Sequence, residues 1–464
     1  MADGGQQDIQ QNQAQGEAWR RAAENLSEGL YSAVSAGDVV GLRQLLAEGA
    51  NADQFYEDDQ NISSKSILHV ACGKGQTECV KLLLEWGSMP NIRDKWGQSP
   101  LHYSICAQFL DTASILLEHM DASAVEIIND KDRYGKTPLH SAADSANVEA
   151  IEILLKHGAD VNIRNFDGIT PLMVCAETCG RSKSVRALEV LIDGGALINL
   201  VDYRSKRSAL QRAAVAKNVA AVEFLLSMGA DIDSLDNTYR TALTNVMWDH
   251  VRNREGMCNI DPDVMTIIIL LTQAGANLDL AMSEYCNPLV TAAFLQAPVL
   301  VRFFLDQGAQ PNVNFMSGVT PLLVSTSKKD VDAVKIFLTY NCDMTIKGRV
   351  RRRRVDFIFD PMEMALEDKN YHLVQMFLAA GYPSNFIRQQ LEERLKSDPN
   401  GQSSGLDPDL SQWLLKRISC PSTLRELTVY RLRHILGQSL LKLVPKLPLP
   451  SRIQDSILLT DILT

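Results

Sequence analysis

Three histidines recur in one sequence setting, and histidine is the side chain that most often serves as a general acid or base near neutral pH. His69, His102 and His140 follow Ser-Ile-Leu, Ser-Pro-Leu and Thr-Pro-Leu. The chain lacks the GxxxxGK(S/T), GxGxxG, GxSxG and HExxH patterns of nucleotide-binding and hydrolytic sites. Acidic pairs lie in polar stretches that are typical of solvated surface: Asp58/Asp59 and Glu392/Glu393. The sequence therefore predicts a protein without catalytic chemistry of its own.

Nine cysteines are scattered along the chain. The closest pairs, Cys72/Cys79 and Cys175/Cys179, lack the spacing of structural zinc sites. Their odd number and mostly apolar settings favour free thiols, which persist in a reducing compartment. The sequence therefore predicts no metal and no cofactor, and a cytoplasmic location with the nucleus as a second one.

Composition and charge exclude several classes of protein. Of the 464 residues, 45% are hydrophobic and 22% are charged, so the chain can bury a core. Met1–Gly16 is polar, and no apolar run approaches the roughly 18 residues of a membrane-spanning helix. A formal net charge of -10 disfavours a general affinity for nucleic acid. We therefore expect an intracellular protein without a membrane anchor.

A short apolar pattern recurs along most of the chain. A triad at positions i, i+3 and i+4 is followed by Gly at i+7, as in Ile151–Gly158. The triad places an apolar stripe on one helix face, and Gly ends the helix in a left-handed conformation. Met120 and Asn341 replace the glycine in two copies, and Thr272 weakens one triad. A period of about 33 residues with insertions accounts for about ten units.

Most units continue with a hydroxyl residue, then Pro or Ala, then Leu, as in Thr137-Pro138-Leu139. The hydroxyl residue predicts a helix N-cap, and Pro suits the first helical position. Each unit is therefore a helical pair that buries its apolar stripe only by stacking on its neighbours.

The segment Asp132–Asn165 resembles the ankyrin repeat from end to end, and similar units extend from about Leu30 to Ser384. The resemblance implies an all-α ankyrin-repeat solenoid. It also implies that the three histidines form hydrogen bonds between loops.

Departures from the repeat mark candidate binding residues. Met247–Asp263 reads as an insertion before the second helix of one unit, and arginines cluster in a loop between the ninth and tenth units: Arg349, Arg351, Arg352, Arg353 and Arg354. The cluster is interpreted as a solvated loop, a nuclear import signal or a patch for an acidic partner. Aromatic residues lie near the predicted loop tips: Trp96, Tyr134, Phe166, Tyr203 and Phe315. They either contact a protein partner or pack between adjacent units.

The repeat stops after Ser384, and two further motifs follow. Residues 385–409 combine a short helix with a flexible linker, and residues 410–464 form a separate block. Within Thr423–Leu432, the residues Leu424, Thr428 and Leu432 share one predicted helix face, with Leu427 beside them. Such a face is suited to docking into a groove of a partner. Val444–Ile453 alternates Leu and Pro, which predicts a stiff extended ridge.

These two motifs at the C-terminal end of an ankyrin array resemble a SOCS box. In that family, the helix binds elongin B/C and the proline-rich segment recruits a cullin. The resemblance assigns Leu424, Leu427, Thr428 and Leu432 to elongin binding. It assigns to cullin binding Val444, Leu447, Pro448, Leu449, Pro450 and Ile453. Thr428 stands where Cys is commoner, and Ser456 stands where an aromatic residue is usual.

The chain as a whole resembles the ankyrin repeat and SOCS box family. This predicts a substrate-recognition subunit of an elongin B/C–cullin-RING E3 ubiquitin ligase, with cullin-5 favoured. Residues 1–29 would be a polar extension, 30–384 the array that binds the substrate protein, and 410–464 the SOCS box. The alternative is an ankyrin scaffold or signalling adaptor that recruits no ligase, and a third possibility is a nuclear regulator.

Overall fold

Short helices form throughout the described part of the chain because their sequences carry start and stop signals. This computed structural model describes residues 25–57, 64–119, 127–178, 184–251, 260–280, 287–313, 319–352 and 355–382. The chain divides between Asp231 and Ile232 into two compact units. The predicted SOCS box and the linker before it lie outside the described residues.

The first unit is a series of helical pairs. Residues 25–36 are helical and precede α1 (Val39–Ala47). The later helices are α2 (Ile67–Gly73), α3 (Thr77–Glu85), α4 (Pro100–Cys106), α5 (Leu110–Glu118), α6 (Pro138–Asp144), α7 (Val148–Lys156), α8 (Pro171–Glu177), α9 (Ser184–Asp193), α10 (Ala209–Val215) and α11 (Val219–Ser227). Even-numbered helices open each pair and odd-numbered helices close it.

The second unit continues the same alternation. Its helices are α12 (Ala242–Val251), α13 (Pro262–Gln273), α14 (Pro288–Phe294), α15 (Pro298–Asp306), α16 (Pro321–Ser327), α17 (Val331–Thr339), α18 (Pro361–Glu367) and α19 (Tyr371–Ala379). None of the helices in the described ranges is long and apolar enough to cross a membrane.

Capping explains where the helices begin and end. Thr170 accepts a hydrogen bond from the Met173 amide, and Pro171 occupies the first turn of α8. Second helices end at glycines with positive φ, such as Gly158 at 90°. Asn341 takes this position in the second unit with φ 56°, so the same stop is made by another residue that tolerates the left-handed region. Met120 lies outside the described residues.

The core lies between two rows of helices in each unit. In the first unit, α2, α4, α6, α8 and α10 pack successively, as do α1, α3, α5, α7, α9 and α11. The triad residues Ile151, Leu154 and Leu188 are fully buried between these rows. Phenylalanine rings occupy the equivalent positions of α15, α17 and α19 in the second unit, and these rings are also fully buried: Phe304, Phe337 and Phe377.

One departure from the sequence prediction concerns an insertion. The predicted insertion Met247–Asp263 is wrong at both ends, because Met247 is a buried residue of α12 and Asp263 lies in the first turn of α13. Asp261 caps α13 and Pro262 begins it, so this second helix starts early. Residues 252–259 lie outside the described ranges.

The described residues also form two short antiparallel sheets that the all-α prediction missed. β1 (Phe55–Glu57) pairs with β2 (Ser64–Ser66). β3 (Gly348–Arg352) pairs with β4 (Val355–Phe359), with Arg349 opposite Ile358. The arginine cluster was predicted to lie in a loop, but Arg349, Arg351 and Arg352 lie in a strand. Ladder hydrogen bonds to the β-branched and aromatic residues of β4 account for the strand.

Candidate protein-interaction surface

Successive loops of the first unit end in tight turns, here called the loop tips (residues 94–98, 132–136, 165–169 and 202–207). Each tip begins with a buried Asp or Asn. The Asp132 carboxylate Oδ1 accepts hydrogen bonds from the amides of Tyr134 and Lys136, both at 2.8 Å. Asp94 holds Trp96 and Gln98 in the same way, at 2.8 and 2.7 Å. These bonds fold the backbone so that the residue after the Asp or Asn faces solvent.

The last of the four loop tips contains a buried carboxylate, that of Asp202. Asp202 is fully buried, and its carboxylate accepts hydrogen bonds from Ser205 and from Arg212, the latter at 2.8 Å. Burial alone would raise the pKa of Asp202, but these donors outweigh it and lower the pKa below its ordinary value. Asp202 is therefore ionised at neutral pH and anchors the turn.

Backbone hydrogen bonds join each tip to the next. The Arg133 amide donates to the Trp96 carbonyl at 2.8 Å, the Phe166 amide to the Tyr134 carbonyl at 3.3 Å, and the Tyr203 amide to the Asp167 carbonyl at 2.8 Å. These bonds connect consecutive tips in a row within the first unit.

In two of the tips, the glycine lies against the aromatic ring of the next tip. Gly168 has φ 80°, and a Cβ atom there would lie 2.6 Å from the Tyr203 amide nitrogen and 2.5 Å from its ring. Gly168→Ala is expected to lower the free energy of unfolding by about 3 kcal/mol, through the left-handed penalty and the overlap. Gly195 has φ 92° and no atom within 4 Å, so Gly195→Ala should cost about 1 kcal/mol. Urea unfolding of both variants checks this, and equal losses would contradict a role for the close approach.

The three histidines connect helix starts to loop tips. The Ser99 amide donates to Nδ1 of His102 at 3.2 Å, and His102 Nε2 lies 3.1 Å from the Lys136 carbonyl. His140 bridges Thr137 to the Ile169 carbonyl at 3.0 Å, and His69 bridges Ser66 to the Gln98 carbonyl at 2.9 Å. Burial lowers the pKa of His102 and His140 to about 4 and also lowers that of His69. The prediction of hydrogen bonds between loops is confirmed, and both ring nitrogens are engaged.

The predicted aromatic residues of the first unit all lie on the loop tips. Tyr134, Phe166 and Tyr203 are 59%, 66% and 55% exposed, whereas Trp96 is half-buried. Phe315 lies outside the described residues. The rings also pack between units, because Phe166 covers Gly135 and Tyr203 covers Gly168. The packing alternative is therefore correct for Phe166 and Tyr203. The exposed parts of the rings leave the binding prediction open.

Basic side chains beside these rings were not singled out in the sequence. The Arg133 guanidinium carbon lies 4.9 Å from the Trp96 ring centroid and 6.0 Å from that of Tyr134. Arg164 lies 5.1 Å from the Tyr203 ring centroid and donates to the Val201 carbonyl at 3.1 Å. The available signal was a cation next to an aromatic residue, as in Arg133-Tyr134.

The arginine cluster lies partly outside the described residues, and the predicted ligase-binding residues lie wholly outside them. Arg351 and Arg352 lie in β3, and Arg353 and Arg354 lie outside the described residues. The exposed Arg349 lies 4.0 Å from Asp356 across the hairpin. All predicted elongin-binding and cullin-binding residues, from Leu424 to Ile453, lie outside the described residues. Within the described ranges, no group of three or more His, Cys, Asp or Glu residues is arranged to hold a metal ion.

Comparison with known families identifies the repeats. The family of ankyrin repeats in three copies matches residues 30–125 and 87–165. The family of ankyrin repeats in many copies matches residues 139–192, and the single ankyrin repeat matches residues 205–237.

Three proteins that are similar to this chain carry different names and match different lengths of it. E3 ubiquitin-protein ligase KEG of Arabidopsis thaliana is 29% identical over 405 residues, which cover 84% of this chain and 24% of that protein. Neurogenic locus notch homolog protein 1 of Mus musculus is 35% identical over 181 residues, 39% of this chain and 6% of that protein. The human ankyrin repeat and SOCS box protein 16 is 36% identical over 76 residues, 16% of each chain. The chain thus spans a quarter or less of each of these relatives, and its residues 30–192 and 205–237 consist of ankyrin repeats.

Proposed function

We propose that the chain is a substrate-recognition subunit of an elongin B/C–cullin-RING E3 ubiquitin ligase. One observation carries the proposal: an ankyrin-repeat array is followed by two motifs in the order and spacing of a SOCS box, Thr423–Leu432 and Val444–Ile453. Either motif alone is also compatible with a docking helix or a rigid tether. Their combination after ankyrin repeats favours ligase recruitment.

The names of two similar proteins support the proposal of a ubiquitin ligase subunit. The Arabidopsis relative is an E3 ubiquitin-protein ligase, and a human relative is an ankyrin repeat and SOCS box protein. The shared residues cover 24% and 16% of those proteins, so their activities reach this chain only as part of the proposal.

The proposed mechanism is proximity. The loop tips hold a protein substrate, and the C-terminal block binds the ligase, so that substrate lysines remain near the charged ubiquitin-conjugating enzyme. Holding two reactants together replaces an encounter in solution by a high effective concentration. The chain contributes no nucleophile to this reaction and acts as an adaptor. We place it in the cytoplasm, where the ligase and a substrate would meet.

The test is capture of purified elongin B/C by the full chain. Leu424→Asp is expected to reduce capture at least about tenfold, because it places a charge on the apolar face that would enter the elongin pocket. Arg433→Asp is the matched control, because helical spacing places residue 433 on the face opposite Leu424. The control should retain capture.

Other outcomes have definite consequences. Capture that survives Leu424→Asp would contradict elongin binding through this helix. A full chain that binds no elongin would leave the alternative of an ankyrin scaffold without ligase recruitment. The similarity to the notch protein, which covers 39% of this chain, is the observation that supports the scaffold alternative.

A further inference from the structure

The loop tips of the first unit carry a positive charge that the chain as a whole does not. The formal net charge of the protein is -10, yet the tips and the residues beside them are rich in cations: Arg93, Lys95, Arg133, Lys136, Arg204 and Lys206. The carboxylates of Asp94, Asp132 and Asp202 belong to the same segments but are 6%, 6% and 0% exposed. They point inward to backbone amides, so the solvent side of the tips is basic.

The remaining acids of this surface have cationic partners. Asp130 accepts from Arg93 at 2.5 Å, and Asp167 lies 3.6 Å from Arg204. Arg133 and Lys136 have no ion-pair partner among the described residues. These two side chains therefore contribute to the surplus positive charge of the tips.

Arg133 is also held in position before any ligand arrives. Its backbone amide donates a hydrogen bond to the Trp96 carbonyl, and its guanidinium lies over the Trp96 ring, with the Tyr134 ring centroid at 6.0 Å. The exposed guanidinium can still donate to a carboxylate in the plane of its nitrogens. A cation fixed by stacking loses little entropy when it binds an anion.

The geometry favours an acidic polypeptide over nucleic acid. Base recognition on a basic aromatic surface depends on ring faces that are free to stack. Here Arg133 lies over the Trp96 ring, Arg164 lies over the Tyr203 ring, and the Phe166 ring lies against Gly135, which reduces the ring surface available for stacking. The exposed parts of Tyr134 and Phe166 suit contact with apolar side chains that alternate with carboxylates.

We propose that the loop tips of the first unit bind an acidic, extended segment of a protein partner. Arg133 and Lys136 contact its carboxylates, and the exposed rings of Tyr134 and Phe166 contact its apolar side chains. This assignment rests on the proposed function only in that the ankyrin array binds the substrate, and it names the chemical class of that substrate.

The experiment measures binding of the full chain to fluorescein-labelled peptides by anisotropy. One peptide repeats Glu-Glu-Leu and its matched control repeats Gln-Gln-Leu. We expect the acidic peptide to bind about tenfold more tightly, and this preference to shrink as salt is added. Replacing both cations (Arg133→Gln with Lys136→Gln) should weaken binding of the acidic peptide about tenfold. Lys156→Gln removes an exposed cation from the end of α7 and should leave binding unchanged.

Three results would overturn the proposal. They are equal binding of the two peptides, unchanged binding by the double variant, and an equal loss in Lys156→Gln. Tighter binding of an oligothymidine that displaces the acidic peptide would reassign the surface to nucleic acid. Elongin capture by the same preparations separates the two proposals, because a chain that captures elongin but ignores the acidic peptide contradicts only this one. Matching urea transitions exclude loss of fold in the double variant.

Discussion

Acidification from about pH 7 to about pH 5 is expected to lower the free energy of unfolding of the first unit by about 4 kcal/mol. His102 and His140 carry most of this loss, because burial lowers the pKa of each from 6.5 to about 4. The unfolded chain takes up protons below about pH 6.5 while the folded chain does not, so their contribution is complete above that pH and is lost as the pH falls towards 4. Each histidine accounts for about 2 kcal/mol over this range. The lowered pKa of His69 acts in the same direction.

The chain itself suggests the control. In α10, Gln211 occupies the position of these histidines, and its side-chain oxygen accepts from the Ser208 amide at 2.9 Å. His102→Gln with His140→Gln therefore keeps the N-terminal capping bond and removes the titration.

Urea unfolding at both pH values, followed by hydrogen exchange in the first unit, provides the measurement. The double variant should lose most of the pH dependence. Asp330 and Asp360, whose pKa burial raises, lie in the second unit and do not contribute to this local signal. A full pH dependence in the double variant would show that other groups cause it.

Phe304→Ala is expected to lower the free energy of unfolding of the second unit by about 4 kcal/mol. The Phe304 ring is fully buried in α15, which packs against α17, and its removal leaves a cavity that the two helices cannot close.

Phe303 supplies a matched control on the same helix. It is half-buried, and its ring centroid lies 5.5 Å from that of Phe304. Phe303→Ala removes an equal number of atoms and should cost about 1 kcal/mol, because its site already contacts solvent. Urea unfolding compares the two, and similar losses would be inconsistent with a core centred on Phe304.

Helical pairs were predictable because their signals are local. The triad ending at Gly158 and the start at Thr137-Pro138 specify one helix end each, and neither depends on distant residues. Strands β3 and β4 were not predicted because the arginine run was read as charge alone. Val350, Phe357 and Ile358 carry β propensity, but the hairpin depends on pairing between segments.

The candidate surface was predictable only in part. The positions of Tyr134 and Tyr203 on loop tips follow from the repeat, and the structure places both there. The contacts of these tips do not follow, since Arg133 lies over Trp96 of the preceding repeat and the inward orientation of Asp132 depends on folded backbone amides. Contacts between residues of different repeats are set by the folded structure and are not visible in the sequence.

Framework and specificity are carried by different positions of each loop tip. Asp132 and Gly135 maintain the turn from within, whereas Arg133 and Tyr134 stand between them in solvent. Substitutions of Arg133 and Tyr134 during evolution can therefore change the binding preference while the repeat stays folded. Replacement of the inward pair would disturb the neighbouring turn as well, because the two turns share a backbone bond. Sequence differences between related repeats are therefore expected mainly at the solvent-facing positions.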